Sequence, residues 1–176
     1  LTSLNASKLS SGTVPAAALG NAWKTGGNAG TTPGTHFLGT TDNQPLEFKV
    51  NTLRALRLEP GVEDANKSGA PNGIGGSFKN FVAAGILGAT IGGGGAGYYF
   101  GASYTNRVTG DFGTVGGGQQ NTSGFSATVG GGYQNTSSGN YATVGGGDGN
   151  TSSGHAATVG GGFQNTSSDN YATVAG

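Results

Sequence analysis

The chain has 176 residues, of which 39 are Gly and 33% hydrophobic, with 8 basic residues balanced by 8 acidic ones. Neutrality leaves no electrostatic footprint for nucleic acid. Glycine without a G-X-Y period excludes collagen, and the absence of Cys excludes disulfides, thiolate metal sites and a cysteine nucleophile. So little apolar material would suit a disordered chain, yet Val, Ile, Thr, Tyr and Phe recur at fixed spacings, which fits a regular fold that shares its core between chains. The longest apolar stretch, residues 78–91, is broken by Lys79, Asn80, Gly85 and Gly88 and is too short for a membrane span. The chain lacks Met, even at its first position, and reads as processed or excised from a longer protein.

Residues 1–34 form a lead-in and linker. Leu1, Leu4, Leu9, Val14 and Leu19 are spaced too irregularly for a coiled coil, which predicts an extended or weakly helical segment. Residues 35–73 read as a β-hairpin module and a polar linker. Strands at 45–50 and 54–58, joined by a three-residue loop at Asn51, Thr52 and Leu53, set Phe48 opposite Leu56 and Leu46 opposite Leu58. A two-residue loop would oppose Leu46 to Arg57.

Residues 74–176 are a repeat array, with a loop excursion at about 97–110. Thr-Val-Gly-Gly-Gly begins at Thr114, Thr128, Thr143 and Thr158, and a last copy begins at Thr173. The matching Val115, Val129, Val144, Val159 and Val174 are spaced by 14 residues and then by 15. In Ala142-Thr143-Val144 the apolar residues alternate with Thr, so Ala and Val point inward from a strand and Thr outward. The glycine triplet allows a tight turn or close approach of a neighbouring backbone. Asn-Thr-Ser-Ser-Gly supplies the second turn, and Asn121, Asn135, Asn150 and Asn165 form an amide ladder. The predicted fold is all-β: a parallel β-solenoid, or β-roll, of 14–15-residue repeats whose thin Ala and Val core calls for partner chains in an intertwined homotrimer.

Isolated chemistry-bearing residues do not make a catalytic site. Gly92, Gly94 and Gly97 match G-x-G-x-x-G, but no helix is predicted to follow. His36 and His155 stand alone. Asp42, Glu59, Glu63 and Asp64 match no calcium loop. The sequons at Asn5, Asn121, Asn135, Asn150 and Asn165 are, apart from the first, the repeat itself. No catalytic, cofactor or metal residue is assigned, and the chain is not read as an enzyme. The variable slots carry more. Gln119, Tyr133, Asp148 and Phe163 follow each Val by four residues, and Ser126, Tyr141, Ala156 and Tyr171 precede each by three. Tyr133, Phe163, Tyr141 and Tyr171 thus form a candidate surface strip for a sugar or protein, or a surface packed between chains.

The unit Ala-Thr-Val-Gly-Gly-Gly-x-x-Asn-Thr-Ser-Ser-Gly resembles the head repeats of trimeric autotransporter adhesins of the YadA type, over residues 74–176. Residues 4–15 and 37–60 resemble segments of bacterial surface and phage tail-fibre proteins. The resemblance implies a left-handed parallel β-roll, three chains side by side, and a lateral surface that binds host matrix; a surface glycan is the other expected partner. Its core positions fall on Val115, Val129, Val144, Val159 and Val174. Three glycines stand where the family has one, and no binding residue is carried across. The expected function is a structural or adhesive fibre segment on a cell surface or phage-like particle. Alternatives are a self-assembling extracellular filament and an ice- or glycan-binding solenoid that uses the Thr114, Thr128, Thr143, Thr158 and Thr173 ladder.

Overall fold

A computed structural model describes residues 22–24 and 26–176, which fall in two units divided between Gly39 and Thr40. Leu1, Leu4, Asn5, Leu9, Val14 and Leu19 lie outside the described residues. The described part of the first unit is built from turns. Thr32-Pro33-Gly34-Thr35 closes with Thr35 N–H on Thr32 O at 3.1 Å, and Thr32 N–H donates to His36 Nδ1 at 2.9 Å. Pro presets the backbone here and Gly34, at φ 83°, completes the reversal.

The second unit is all-β, and the described residues contain no helix. Strands β1 (Leu46–Val50) and β2 (Leu53–Glu59) pair antiparallel, and β3 (Asn72–Gly75) joins β2. The coils then begin. β4 (Phe81–Val82), β5 (Thr90–Ile91), β6 (Ala96–Tyr99), β7 (Ala102–Tyr104) and β8 (Arg107–Val108) make the irregular early turns. Thereafter each coil contributes one Thr-Val pair and one Thr-Ser pair. The Thr-Val strands are β9 (Thr114–Val115), β11 (Thr128–Val129), β13 (Thr143–Val144), β15 (Thr158–Val159) and β17 (Thr173–Val174). The Thr-Ser strands are β10 (Thr122–Ser123), β12 (Thr136–Ser137), β14 (Thr151–Ser152) and β16 (Thr166–Ser167).

Like stacks on like. The first sheet runs β1-β2-β3-β5-β9-β11-β13-β15-β17, with the last seven strands parallel, and the second runs β16-β14-β12-β10-β8-β4, all parallel. The result is a parallel β-solenoid of about seven turns with the usual strand spacing of roughly 4.8 Å per coil. Each 15-residue unit returns the chain to the same register, so Val129 sits on Val144 and Ser137 on Ser152.

Three local features differ from the sequence expectations. The β1–β2 turn has two residues, Asn51 and Thr52, both left-handed at φ 46° and 65°, and Leu53 pairs with Val50. A register shift between Phe48 and Lys49 still brings Phe48 opposite Leu56 and Leu46 opposite Leu58. The bulge therefore does what a longer loop was expected to do. Second, Asn-Thr-Ser is not a turn. Its Thr-Ser is the second strand of each coil, and the reversal falls on the following Ser-Gly-Asn-Tyr. Third, the excursion at 97–110 is not loop alone. It contains the antiparallel pair β6–β7, and Asn106-Arg107-Val108 then rejoins the stack.

The interior is half polar. Val115, Val129, Val144 and Val159 and Ala127, Ala142 and Ala157 are fully buried, but so are Asn121, Asn135 and Asn150 and Ser123, Ser137 and Ser152. The Ser123 hydroxyl donates to Ala127 O at 2.6 Å, whereas the hydroxyls of Ser137 and Ser152 are buried without a hydrogen bond. Ser137→Ala and Ser152→Ala should therefore leave the melting temperature unchanged or raise it, because each removes an unsatisfied polar group. Ser123→Ala, which removes the hydroxyl's bonds to Ala127 O and from Thr114 N–H, should lower stability by about 1 kcal/mol in thermal unfolding.

An ion pair between the buried Asp111 and the partly exposed Lys67 pins the early loop to the stack. The Asp111 carboxylate meets Lys67 Nζ at 2.7 Å and accepts from Leu87 N–H at 3.2 Å. The lysine hydrogen bond holds the Asp111 pKa below its ordinary value against the opposing effect of burial, and the Leu87 N–H adds to the lowering. A depressed folded-state pKa means the stabilisation is fully present above the ordinary carboxylate pKa of about 4 and fades as pH falls through the lower folded value. Asp111→Asn should thus lower the melting temperature at pH 7, and the gap from the parent chain should close as pH falls below the ordinary carboxylate value.

Candidate functional site

No cluster of three His, Cys, Asp or Glu able to hold a metal occurs among the described residues. Of the four acidic residues weighed for calcium, Glu59, Glu63 and Asp64 serve local structure. Glu59 pairs with Arg57 at 2.7 Å, Asp64 Oδ1 accepts from Asn66 N–H at 2.7 Å and Lys67 N–H at 2.9 Å, and Glu63 Oε1 accepts from Gly69 N–H at 2.9 Å. Strand β6 follows Gly92 and Gly94 where a nucleotide-binding loop needs a helix.

The asparagine column is internal. Asn121 Nδ2 donates to Gly117 O in its own coil and to Gly132 O in the next, both at 2.9 Å, and its Oδ1 accepts from Asn135 N–H at 2.9 Å. Asn135 repeats this with Gly131 O, Gly147 O and Asn150 N–H. The amides are thus spent mainly on backbone groups of the glycine turn. Asn80 and Asn106, absent from the sequence expectation, extend the column: Asn106 N–H donates to Asn80 Oδ1 and Asn121 N–H to Asn106 Oδ1, each at 3.0 Å. The signal that could have found Asn80 was Gly-Gly-Ser-Phe-Lys-Asn, an imperfect glycine-to-Asn unit. Arg54 closes this end, its Nη2 donating to Phe78 O at 3.0 Å and Ser77 O at 3.3 Å, and also to Asn80 O.

The expected surface strip is two separate lines. Tyr133 bridges to Gln119 on one side and Asp148 on the other, and Asp148 to Phe163, along the turn after the glycines. Tyr141 and Tyr171 lie on the other turn, where Phe125, Tyr141, His155 and Tyr171 stack edge to face with centroids 5.7, 5.4 and 5.4 Å apart. His155 belongs to this aromatic line. Tyr141 and Tyr171 are held at φ 61° and 62°, so they project from the turn in a conformation that usually selects glycine.

The broadest candidate surface is the outer face of the first sheet. Strand alternation and register place Leu46, Leu58, Gly73, Thr90, Thr114, Thr128, Thr143, Thr158 and Thr173 in one row, opposite in direction to the buried Val row. Phe48 and Leu56 share that face. Phe48, Leu56 and Leu58 are 41%, 37% and 42% exposed, so one end of the row is an apolar patch and the rest a ladder of small hydroxyls. Such a face is flat and uncharged, which suits contact with another flat surface.

Comparisons with protein-family models, curated proteins and solved structures gave no match for this chain. Its physical surfaces therefore carry the functional reading.

Proposed function

We propose that this chain is a non-catalytic segment of an extracellular structural or adhesive stalk, in which three copies lie side by side with the outer faces of their first sheets turned to a common axis. The observation that supports this most is the patch of exposed Phe48, Leu56 and Leu58 with half-buried Leu46, in line with the threonine ladder. Contiguous apolar side chains on a soluble surface mark contact sites, and this patch lies on the same face as a row small enough for close lateral approach. The thin Ala and Val core and the resemblance to YadA-type head repeats point the same way. The aromatic line at the turn and the Tyr133 to Phe163 line then remain outward, available to host matrix or surface glycan.

The double substitution Phe48→Lys with Leu56→Lys tests it. Placing like charges on the patch should reduce the sedimenting species from three chains to one while the β-type circular dichroism persists. A mass unchanged by the substitution would place the contact elsewhere.

The same ladder supports a second reading. If the face is uncovered, Thr90 to Thr173 in register present hydroxyls at the regular strand spacing, the kind of array that an ice-binding solenoid uses. The two readings are exclusive, because the face is either buried between chains or open to ice. Thermal hysteresis by the parent chain, lost in Thr143→Tyr, would favour the second.

A further inference from the structure

The β6–β7 hairpin leaves the coil beside the exposed face of the second sheet and makes a groove of about 450 Å³ there. We propose that this groove binds a carboxylated oligosaccharide, which gives the adhesive reading a specific ligand class and rests on that reading only for its biological setting.

The second sheet's outward column reads Phe81, Arg107, Thr122, Thr136, Thr151, Thr166. Its threonine rule is broken at the first two rungs, and both exceptions line the groove. Arg107 is one of two cations in residues 74–176, the other being Lys79. Its Nε donates to Thr122 Oγ1 at 2.9 Å, and it makes no ion pair among the described residues. The guanidinium is thereby oriented with its Nη groups left for a planar, bidentate acceptor, which is what a carboxylate offers. Phe81 is 44% exposed and offers a ring face to the C–H face of a sugar.

The opposite wall is a pair of glutamines held against backbone preference. Gln120 and Gln134 have φ of 57° and 53°, and their amides bond each other at 2.9 Å. In the next coil the same slot is Gly149, at φ 69°. Glycine is the residue this conformation favours, and Gln returns in the same slot at Gln164, φ 55°, so the left-handed backbone belongs to the repeat turn and it is the paired amides of Gln120 and Gln134 that form the groove wall. Planar amides, hydroxyls, one guanidinium and one ring in an open groove of this size match a short saccharide better than an apolar ligand. The single arginine is too little positive charge for a nucleic acid backbone.

Titration calorimetry of the full chain with trigalacturonate and with sialyllactose separates the two sources of a sugar carboxylate, and cellotriose supplies the neutral comparison. At least one acidic sugar should bind, more tightly than cellotriose, and Arg107→Gln should weaken it roughly tenfold or more. Gln134→Gly keeps the test sharp if Arg107→Gln proves unstable. It relieves strain, so it should hold or raise the melting temperature while lowering affinity. Failure of both acidic sugars to bind, equal binding of cellotriose, or unchanged affinity in both variants would overturn the proposal. A three-chain species that binds neither sugar would overturn the groove and leave the stalk, and a single chain that binds one would do the reverse.

Discussion

Asn135→Ala should destabilise the solenoid by about 3–5 kcal/mol, the largest loss expected from any single side chain of the repeat. The truncation removes four hydrogen bonds and leaves Gly131 O and Asn150 N–H without a partner, while Gly147 O keeps only the Tyr133 N–H. Asn135→Asp should be at least as harmful at neutral pH. A carboxylate accepts from Asn150 N–H but has nothing to donate to the two carbonyls, and it adds a buried charge. Protonation returns one donor, so the Asp variant should recover part of its stability on acidification while the Ala variant should not. Urea unfolding at pH 7 and pH 4 measures both. An Asp variant as stable as the parent at pH 7 would mean that the column does not hold the glycine turn.

Within each glycine triplet the three positions should respond very differently. At Gly130 an added methyl would be driven into Gly145 O of the next coil, and at Gly132 into Gly147 O, with Gly132 also at φ 88°. At Gly131 nothing lies within 4 Å. Gly132→Ala should therefore cost roughly 2–4 kcal/mol through backbone clash and left-handed strain. Gly131→Ala should change stability by less than about 0.5 kcal/mol or raise it slightly by restricting the unfolded chain. Thermal melts of the two variants side by side give the contrast. Equal losses would contradict the close coil-to-coil approach at the third glycine.

The repeat was legible because identical spacing forces identical stacking. The Val row, the inward Ala and the parallel stack follow from period alone. What the sequence concealed was the role of the polar residues. Asn-Thr-Ser has the composition of a turn, and only the buried Ser123, Ser137 and Ser152 reveal a strand facing a core that accepts hydroxyls. Asn80 and Asn106 were hidden because the hairpin insertion and Lys79 break the 15-residue count, although each keeps its place in the column. The aromatic line mixes two slots because alternate coils carry the ring on the residue before the left-handed one, Phe125 and His155, or on the left-handed residue itself, Tyr141 and Tyr171. Slot counting therefore grouped Tyr141 with Tyr133, which the fold places on a different turn. The groove at Arg107 needed the fold altogether, since Phe81, Arg107 and Gln134 meet only through the stacking of separate coils.

The stalk reading is tested most directly by the molar mass of the purified chain in solution, measured by light scattering coupled to size exclusion. Three side-by-side copies of a 17.1 kDa chain predict a single species of about three times that mass, constant over a tenfold range of concentration. A discrete species of one chain mass would contradict the shared face and leave the threonine ladder open to solvent, and a broad distribution of large masses would replace the closed trimer with an open filament.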